Sequence, residues 1–565
     1  MDNICLIRDS GARYPERKDL LNEDNDVFRM IRDGFCLLGL DKENYGTDEW
    51  NPLKDYIRPG DHVLVKPNMV LHFNAYGGGT DCLYTHPSLV AAVSKYVVIA
   101  LGGSGKITVG DAPLQECVFD ELVKDSGYDL VIEHYRKLGA DISLVDFRNV
   151  KTILKDGLHH LQEGKKDGGV LVHVDEDSAF SQISRERAKN LRITNYDPRI
   201  LQQHHTDTKH EYMVAREVLD ADVIINMPKP KTHRKAGVTI SLKNLVGINA
   251  NKEYLPHHTV GAKDEMGDAY LEGDKYLSLA NEVLDIKNML VNENEFELAK
   301  MADELYNSLR AKKKSERYWE GSWYGNDTIW RTIVDLNRIL LYADKSGELQ
   351  SSKQRKLFIV GDMIISGEME GPLDPSPIKA DTIVMGDDPV AFDKTVCSIM
   401  GFDYHDIPSI EMPGQGDKKL LFSSGAEPVV ISNFNEWNGR KLAEIRDEHS
   451  LRFSPSRGWI DKLGSPRLNE AIKKIKESGN RVYVFGAAEN GRFVATELIQ
   501  NGISVEAICD NNHTLHGTEP VSGIKCIAPT DMDIGIPVVI TLKLSFVDEV
   551  KKQLNDLGCK VLDCV

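Results

Sequence analysis

Several features found in many proteins of this size are missing from the sequence. The nine cysteines, scattered from Cys5 to Cys564, contain no CxxC pair, so their spacing indicates neither a zinc ribbon nor a ferredoxin-type cluster. The amino terminus is charged and carries no secretory signal, and no segment approaches the roughly 20 apolar residues of a membrane span. We therefore expect a cytoplasmic protein with reduced thiols and no membrane span.

Positive charge is also scarce. The chain has 69 lysines and arginines against 87 aspartates and glutamates, which gives a formal net charge of −18. Nucleic-acid binders present broad basic faces to the phosphate backbone, so we expect no nucleic-acid partner. The sequence contains no nucleophile elbow, Walker loop, HExxH or kinase signature. No motif therefore assigns a reaction class.

The order of apolar runs and turn signals predicts an α/β fold. A turn and strand at 58–70 are followed by a capped helix at 85–103 and another strand at 106–113. Strand, helix and strand at these lengths predict parallel pairing with right-handed crossovers. We expect mostly parallel sheets with flanking helices, plus a small C-terminal Rossmann-like domain.

The last hundred or so residues differ from the rest. Strand, glycine turn, helix and strand patterns over 481–512 are followed by strand, helix and strand over 537–565. Such a pattern is large enough for a core of its own. The sequence therefore predicts two domains, 1–465 and 470–565.

The glycine turn of the second domain resembles a dinucleotide fingerprint. Gly486 and Gly491 serve the tight turn and close helix packing in such motifs, and Asp510 ends the next strand. These three residues are the candidates for binding a nucleotide cofactor. Ala488 replaces the second glycine and places a methyl group where a pyrophosphate would approach. A structural or partner-docking role is the alternative.

An island of positive charge interrupts the acidic chain in the stretch "NMPKPKTHRKAGVTISLKNLVGINANKEYLPHH" (226–258), whose one acid is Glu253. Lysines at a strand end, next to free helix amides, favour a phosphate or carboxylate. We expect a small anionic metabolite as the partner. The candidate substrate-binding residues, including those at neighbouring strand ends, are Asn68, Asp111, Lys229, Lys243 and Asn244.

Histidines in the island are candidate proton carriers. His233 follows the lysines directly, and neighbouring positive charge lowers a histidine pKa and keeps the ring available as a base. His257 and His258 are candidate metal ligands or acid catalysts, and because adjacent residues on an extended chain point to opposite sides, at most one of them faces the site. The catalytic candidates are His233, Lys231 and His257.

Acidic residues follow two later strands, within 361–393. Asp362 and Glu370 are the candidate ligands of a divalent metal, because carboxylates at strand ends suit Mg²⁺ or Mn²⁺. Asp388 precedes Pro389 and a helical pattern, which is typical of an N-cap with proline at the first helical position. Parallel α/β sheets bind ligands at the carboxyl ends of their strands, which we call the strand-end rule. This rule predicts that Lys229, Lys231 and His233 share one pocket with Asp111, Asn244 and Asp362.

The motifs "VLVKPNMV", "ITVGDAP", "ADVIINMPKPKTHRKAGVTISLKNLVGI" and "GEMEGPLDPSPIKADTIVMGDDPVAFD" resemble the family catalogued as domain of unknown function 362, over roughly 55–460. That name implies no reaction, and the iron–sulfur cysteines of some members have no counterpart here. A looser similarity links two stretches to the amino-terminal half of the lactate-racemase family. The C-terminal part resembles modules attached to surface-polysaccharide and sugar-modifying proteins, which implies a role in such a pathway.

Three functional hypotheses follow. The first is an enzyme acting on a phosphorylated or carboxylated metabolite, with assistance from a divalent metal. The second is a non-catalytic protein whose basic loop docks an acidic partner. The third is a racemase- or isomerase-like enzyme with a metal–nucleotide cofactor. A shared pocket favours the first hypothesis, whereas an exposed convex basic patch favours the second.

Overall fold

The computed structural model describes residues 3–155, 157–165, 168–312, 318–414, 419–422 and 425–565. Within these ranges the strands are β1 Asn3–Arg8, β2 His62–Pro67, β3 Lys106–Asp111, β4 Ile142–Asp146, β5 Val150–Lys155, β6 Leu158–Glu163, β7 Gly169–His173, β8 Leu191–Arg192, β9 Glu211–Ala215, β10 Val223–Met227, β11 Lys231–His233, β12 Gly237–Thr239, β13 His258–Thr259, β14 Lys356–Glu370, β15 Asp374–Gly386, β16 Val429–Ser432, β17 Arg481–Phe485, β18 Ser504–Cys509, β19 Cys526–Ile527, β20 Val538–Ile540 and β21 Val561–Cys564.

The α-helices of the same ranges are α1 Asp26–Leu37, α2 Pro87–Leu101, α3 Phe119–Ser126, α4 Tyr128–Lys137, α5 Arg185–Lys189, α6 Pro198–His204, α7 Arg216–Asp220, α8 Ser241–Asn244, α9 Lys275–Asn292, α10 Phe296–Ala311, α11 Ile329–Tyr342, α12 Pro389–Met400, α13 Pro408–Glu411, α14 Leu442–Glu448, α15 Ile460–Leu463, α16 Pro466–Glu477, α17 Glu489–Gln500 and α18 Leu544–Asp556. None of these helices is both long and apolar enough to cross a membrane.

A large sheet with the strand order β16-β1-β15-β14-β10-β2-β3-β4 forms the centre of the molecule. Along this path β15 is antiparallel to both of its neighbours, and the remaining pairings are parallel. The prediction of a mostly parallel α/β fold is confirmed. Parallel strands are covered by helices on both faces, which explains their continuous apolar runs.

Alternate residues of the central strands enter two different cores. Val223 and Ile225 of β10 pack with α1, α2 and α4, whereas Ile224 between them packs on the other face with α11 and α12. The same alternation holds in β2, where Val63 and Leu64 separate in this way. This period of two fixes the register, because a one-residue slip would exchange the two faces.

The carboxyl ends of β2, β3 and β10 lie at one edge of the sheet, since these strands are parallel and paired in register. Asn68 follows β2, Asp111 ends β3, and the basic stretch begins directly after β10. Ligands bind at this edge in parallel α/β sheets. The topology therefore brings the predicted polar residues to the same side of the sheet.

Helix α12 begins as the sequence predicts. Asp388 is the N-cap, its side chain accepts hydrogen bonds from the amides of Val390 and Ala391, and Pro389 stands at the start of the helix. The carboxylate thus satisfies two of the amides that a helix leaves unpaired at its beginning. The N-cap prediction is confirmed.

The C-terminal part contains a separate parallel sheet with the order β19-β18-β17-β20-β21. Its two apolar clusters lie on opposite faces, as shown by Val484 on one side and Phe485 on the other. Helix α16 contributes Leu468, Ile472 and Ile475 to the first cluster. The division of the chain into two separately folding domains stays a prediction.

Candidate functional site

A cavity of about 430 Å³ opens at the carboxyl edge of the large sheet. Its lining comes from the loops after β2, β3, β8 and β11, from α8, and from the start of α17. The predicted site residues among its lining are Asn68, Asp111, His233, Lys243, Asn244, His257 and Glu370. The other predicted site residues do not line this cavity, and each has a place elsewhere in the structure.

The cavity floor is defined by Asp111, which lines the cavity, and its buried ion-pair partner Lys66. Lys66 Nζ lies 2.7 Å from Asp111 Oδ1, and both side chains are almost completely buried. The amides of Met69 and Ala112 donate to the same carboxylate at 2.7 and 2.9 Å. Burial lowers the pKa of Lys66, and the attraction of Asp111 opposes that shift. Asp111 therefore holds the β2 and β3 ends together and has few lone pairs left for a ligand.

Asn244 connects this floor to the next strand. Its Oδ1 accepts hydrogen bonds from Lys66 Nζ at 3.2 Å and from Asn68 Nδ2 at 3.0 Å, and its Nδ2 donates to Asn226 Oδ1 at 2.7 Å. Lys231 Nζ donates to Asn68 Oδ1 at 2.6 Å. Burial, followed by repulsion from a neighbouring lysine, lowers the pKa of Lys231 to about 7. Lys231 therefore supports the floor and does not line the cavity.

Lys229 and Asp362 form a second buried ion pair, 3.0 Å apart, with no exposed side-chain surface. Tyr14 accepts a hydrogen bond from Lys229 at 2.6 Å and donates its own hydroxyl to Asp362. The other oxygen of Asp362 accepts from the His86 amide at 2.8 Å. The prediction that Lys229, Lys231 and Asp362 share the pocket with His233 is wrong, because their polar groups are satisfied inside the protein.

Asp362 and Glu370 occupy one strand, β14, at positions eight residues apart. Strand geometry separates them by on the order of 25 Å, so they do not ligate a common ion. Among the described residues, three metal-ligating side chains come within reach of one another only at Glu444, Glu448 and His449 on the surface near α14. None of these three lines the cavity.

His233 is held as a hydrogen-bond donor. Its Nδ1 accepts from the amides of Lys235 at 3.0 Å and Ala236 at 3.1 Å, so the proton of the neutral ring lies on Nε2. Burial, followed by the charge of Lys243, lowers the pKa of His233 well below its usual value. His233 was expected to act as a base, and the backbone contacts at Nδ1 instead leave Nε2–H of the neutral ring as a hydrogen-bond donor.

His257 has the opposite arrangement. Its Nδ1 lies 2.6 Å from the carbonyl oxygen of Leu255, so Nδ1 donates and Nε2 keeps its lone pair. Burial and the nearby Lys243 lower its pKa to about 3, which keeps the ring neutral at physiological pH. His258 is buried and does not line the cavity. Of the two adjacent histidines only His257 lines the cavity, in agreement with the expectation that at most one of them faces the site, and its catalytic role stays a prediction.

Two cations of the cavity have no partner among the residues that the structure describes: the Lys243 ammonium and the Arg234 guanidinium. Lys235 and Lys252 also line the cavity, but their ammonium groups donate to the carbonyl oxygens of Glu320 and Ala112. Burial lowers the pKa of Lys243 to about 8, and repulsion from Lys66 contributes. An anion placed here would stabilise the charged form.

Buried contacts fix the position of the short helix α8, which carries Lys243. Asp393 of α12 accepts from the amide and hydroxyl of Ser241 at 2.8 and 2.6 Å and from the Leu242 amide at 3.1 Å. Gly247 follows the helix, and a Cβ there would lie 1.9 Å from Asp111 Oδ1. Only glycine fits at this point of the "NLVG" motif without displacing the floor.

Arg457 links Glu370 to the C-terminal part of the chain. Glu370 Oε1 accepts from the amide and Nε of Arg457 at 2.9 and 3.2 Å, and Arg457 Nη1 lies 3.3 Å from Glu489 Oε1. All three residues line the cavity. Glu370, predicted as a metal ligand, therefore pairs with an arginine, and Glu489 at the start of α17 completes the rim.

The predicted nucleotide fingerprint makes contacts within its own module. A Cβ on Gly491 would lie 1.7 Å from Gly486 O, so close packing of turn and helix requires glycine there. Asp510 accepts from the amides of Ala487 at 2.7 Å and Asn512 at 2.8 Å. Both carboxylate oxygens are thus engaged by backbone, and nucleotide binding at these residues stays a prediction.

The loop after β2 lies against the end of β20 in the C-terminal module. The Tyr76 hydroxyl donates to Leu542 O at 3.3 Å, and Lys543 Nζ donates to Ala75 O at 3.1 Å. A Cβ on Gly77 would meet Ser545 at 2.6 Å. The carboxyl edge of the smaller sheet is therefore in contact with the loop that follows β2 of the large sheet.

Sequence reasoning did not single out Lys66, the ion-pair partner of the lining residue Asp111, or the lining residues Gln115, Tyr196, Arg457 and Glu489. Two of them had a local signal. Lys66 stands two positions before Asn68 at a predicted strand end, and Arg457 lies in the "FSPSRGW" motif. Gln115 and Tyr196 lie in loops without a recognisable pattern.

Comparisons with known proteins yield distant relatives. A thylakoid-associated protein of Synechocystis is 26% identical over 233 residues, 41% of this chain and 53% of that protein, so the match spans about half the relative's length. The lactate racemase apoprotein from Thermoanaerobacterium thermosaccharolyticum has 10% identity and a TM-score of 0.26, covering 65% of this chain and 54% of its own. A Thermotoga maritima protein has 11% identity and a TM-score of 0.26, covering 65% and 57%.

These structural likenesses are too weak to inform function. The family model described as Domain of unknown function (DUF362) matches residues 63–175 and 172–398, which together span more than half of the sequence and include the basic stretch. The chain belongs to this family.

Proposed function

We propose that the protein is an enzyme that binds a small phosphorylated or carboxylated metabolite in this cavity and transfers a proton to or from it. One observation carries the proposal. His233 and His257 line the same cavity as neutral rings with opposite roles, beside the unpartnered cations of Lys243 and Arg234. This combination provides a proton acceptor, a hydrogen-bond donor and an anion clamp.

The two unpartnered cations supply the binding energy. Burying a charge without a partner is costly, and the cost is removed when an opposite charge arrives. Lys243 is largely protonated at pH 7, because its pKa is lowered only to about 8 by burial. Charge-assisted hydrogen bonds from lysine and arginine to phosphate or carboxylate are about twice as strong as neutral ones.

The histidines supply the chemistry. In the proposed reaction His257 Nε2 accepts a proton from the bound metabolite, and His233 Nε2–H donates a hydrogen bond to the oxygen that gains negative charge. The bound anion raises the pKa of His257 from its value of about 3 in the unliganded protein, which makes the ring a stronger base. A neutral imidazole in this donor role stabilises an oxyanion without first losing its own proton. This division of roles fits an isomerisation or an elimination next to a carbonyl group.

An enclosed site favours catalysis over the docking of an acidic partner. Docking would require the basic residues on an exposed convex surface, whereas Lys231 is fully buried and Lys243 lines a cavity. The pathway suggested by the resemblance to sugar-modifying proteins, and a metal–nucleotide cofactor, are alternatives. Metal content and visible absorbance of the purified protein test the latter.

Anion binding is tested by calorimetric titration with inorganic phosphate and with acetate at matched ionic strength. We expect Lys243→Met to weaken binding about ten- to a hundredfold, because a charge-assisted hydrogen bond contributes about 1.5–3 kcal/mol. The matched control is Lys300→Met on α10, which is exposed. Lys313, in a lysine run, lies outside the described residues. Equal losses of affinity in both variants would show that the overall charge of the protein attracts the anion and that no specific site binds it.

Proton transfer is tested on the metabolite that co-purifies with the protein, identified by mass spectrometry after denaturation. Incubation of that metabolite with the enzyme in deuterated water should exchange a carbon-bound hydrogen. His257→Gln should abolish the exchange while anion binding persists. Exchange at the wild-type rate in this variant would remove His257 from the mechanism.

A further inference from the structure

The cavity wall formed by residues 112–116 and 193–196 differs in chemistry from the histidine end. It carries one acid, Glu116, whose Oε2 lies 3.7 Å from Nε2 of His159, another lining residue. The other polar side chains of these two segments are uncharged: Gln115, Thr194, Asn195 and Tyr196. This wall offers hydrogen bonds with little net charge.

Two polar groups in this wall lack partners within the part of the chain that the structure describes. Gln115 is only 4% exposed, and its side-chain Nε2 makes no hydrogen bond. The Tyr196 hydroxyl, on a half-buried residue, also has no partner. Buried polar atoms in native proteins are almost always satisfied, so an orphaned amide beside a cavity is available to hydrogen-bond whatever occupies that cavity.

The backbone around Gln115 is firmly held. Its carbonyl oxygen accepts from Arg148 Nη1 at 3.1 Å and from the Thr152 amide at 3.1 Å. Arg148 is itself fully buried and paired with Asp146 at 2.7 Å. The loop therefore presents Gln115 from a fixed position, as a recognition residue requires.

The two ends are built from different segments: the wall from the loops after β3 and β8, and the anion clamp from α8 and the loop after β11. A ligand that reaches both ends must be longer than its anionic group alone.

The size of the cavity agrees with a longer ligand. A volume of about 430 Å³ falls in the range of sites that enclose whole metabolites. A bare phosphate or a short-chain acid occupies the space of a few water molecules, each with a share of about 30 Å³. Most of the cavity would then remain filled with water.

We propose that the ligand has two ends: an anionic head held by Lys243 and Arg234, and an uncharged hydroxylated tail that hydrogen-bonds Gln115 and Tyr196. The inference rests on the proposed function and adds the substrate class to it. Hydroxyl groups suit this wall because each both donates and accepts, as do the Gln115 amide and the Tyr196 hydroxyl. An alkyl tail would leave both groups unpaired.

Two matched series of compounds test the inference by calorimetric titration of the full-length protein. The phosphate series is inorganic phosphate, pentyl phosphate and ribose 5-phosphate. The carboxylate series is acetate, hexanoate and gluconate. In the series whose head group binds, we expect the hydroxylated member to bind at least about tenfold more tightly than the alkyl member.

The variants Gln115→Met and Tyr196→Phe should each reduce this preference about three- to tenfold, the amount expected for one lost hydrogen bond. Affinity for the bare head group should not change. Both substitutions preserve side-chain volume, and a matching unfolding midpoint shows that each variant is folded. If Gln115→Met unfolds, Tyr196→Phe alone decides the test.

Equal binding of hydroxylated and alkyl members, or a preference unchanged in both folded variants, would overturn the two-ended ligand and leave the proposed function intact. Failure of every head group to bind, with no difference between the wild type and Lys243→Met, would overturn the proposed function together with the inference. The two failures are therefore distinguishable.

Discussion

Lys229 Nζ and Asp362 Oδ2 lie 3.0 Å apart with neither side chain exposed to solvent. The pair is completed by the Tyr14 hydroxyl, which contacts both residues, and by the His86 amide. Lys243, only fourteen residues later, has no partner among the described residues. The two lysines belong to one basic stretch but differ in role: Lys229 forms an ion pair in the protein interior, and Lys243 lines the cavity.

This difference predicts opposite consequences of the same substitution. Lys229→Met leaves Asp362 buried without its partner, which costs about 3–5 kcal/mol of the free energy of unfolding. Lys243→Met removes a charge that is buried without a partner, so stability at pH 7 should rise and not fall. Urea denaturation of both variants measures the two values. The double variant Lys229→Met with Asp362→Leu should recover most of the loss, and a loss that persists would argue against the ion pair as its cause.

The pH dependence of anion binding follows from the lysines of the cavity. Burial lowers the pKa of Lys243 and Lys235 to about 8 and that of Lys252 to about 7. These groups are charged below their pKa, so affinity for acetate, which is fully ionised throughout this range, should fall as pH rises from about 7 to 9. Titrations at constant ionic strength test this, and an affinity that is constant over that range would contradict it.

Stability should change in the opposite direction over a higher range. In the unfolded chain lysine has a pKa near 10.4, so between about pH 8 and 10 the unfolded state binds more protons than the folded state. The contribution of these lysines to the free energy of unfolding therefore rises with pH in that window. In Lys243→Met the rise should be smaller than in the wild type, as measured by urea denaturation.

The buried neutral histidines predict acid sensitivity. His257 has its pKa lowered to about 3 by burial, whereas an unfolded histidine titrates near 6.5. As pH falls below 6.5 the unfolded state gains a proton that the folded state lacks, so stability is lost. The His257→Gln variant should lose about 1–2 kcal/mol less than the wild type between pH 7 and pH 5. Identical losses would mean that His257 is not held neutral.

The strand-end rule explains what was predictable about the site. Asn68 and Asp111 follow paired parallel strands, and His233, Lys243 and His257 lie in the stretch after the next strand. Their meeting at one cavity follows from topology, which the sequence patterns already indicate. The mostly parallel sheet was predictable for the same reason.

The ion-pair and hydrogen-bond partners of these side chains were not predictable from the sequence. Lys229 and Asp362 are 133 positions apart in the sequence, and the burial of both depends on Tyr14, near the amino terminus. The role of His233 as a donor depends on two backbone amides that approach Nδ1 after the chain turns. Residue type indicates what a side chain is capable of, whereas its partner is set by tertiary contacts between distant segments.

Gly247 gives a prediction about the cavity floor. A methyl group there would lie 1.9 Å from Asp111 Oδ1 and 2.9 Å from Lys66 Nζ. Gly247→Ala must therefore displace the buried ion pair, and we expect a loss of about 1–3 kcal/mol in stability together with weaker anion binding. Gly535→Ala is the control, because its nearest neighbour is one exposed carboxylate oxygen at 3.3 Å. Equal behaviour of the two variants would contradict the role of Gly247.

The last prediction concerns the C-terminal module. Its sheet has clusters of its own on both faces, and α16 supplies Leu468, Ile472 and Ile475 to one of them. Fragment 465–565 should therefore unfold cooperatively on its own, whereas fragment 480–565, which lacks α16, should not. A buried leucine or isoleucine contributes about 1.5–3 kcal/mol, so the loss of three, about 4.5–9 kcal/mol, is comparable with the whole stability of a small domain.

Thermal and urea unfolding followed by circular dichroism measure both fragments. Contacts such as Arg457 with Glu489 and Tyr76 with Leu542 join the module to the rest through polar groups. Such contacts seat the module over the cavity rim but add little to its own core. If fragment 465–565 showed no cooperative transition, the module would be an integral part of the larger fold, and Glu489 would belong to a rim that forms only in the full chain.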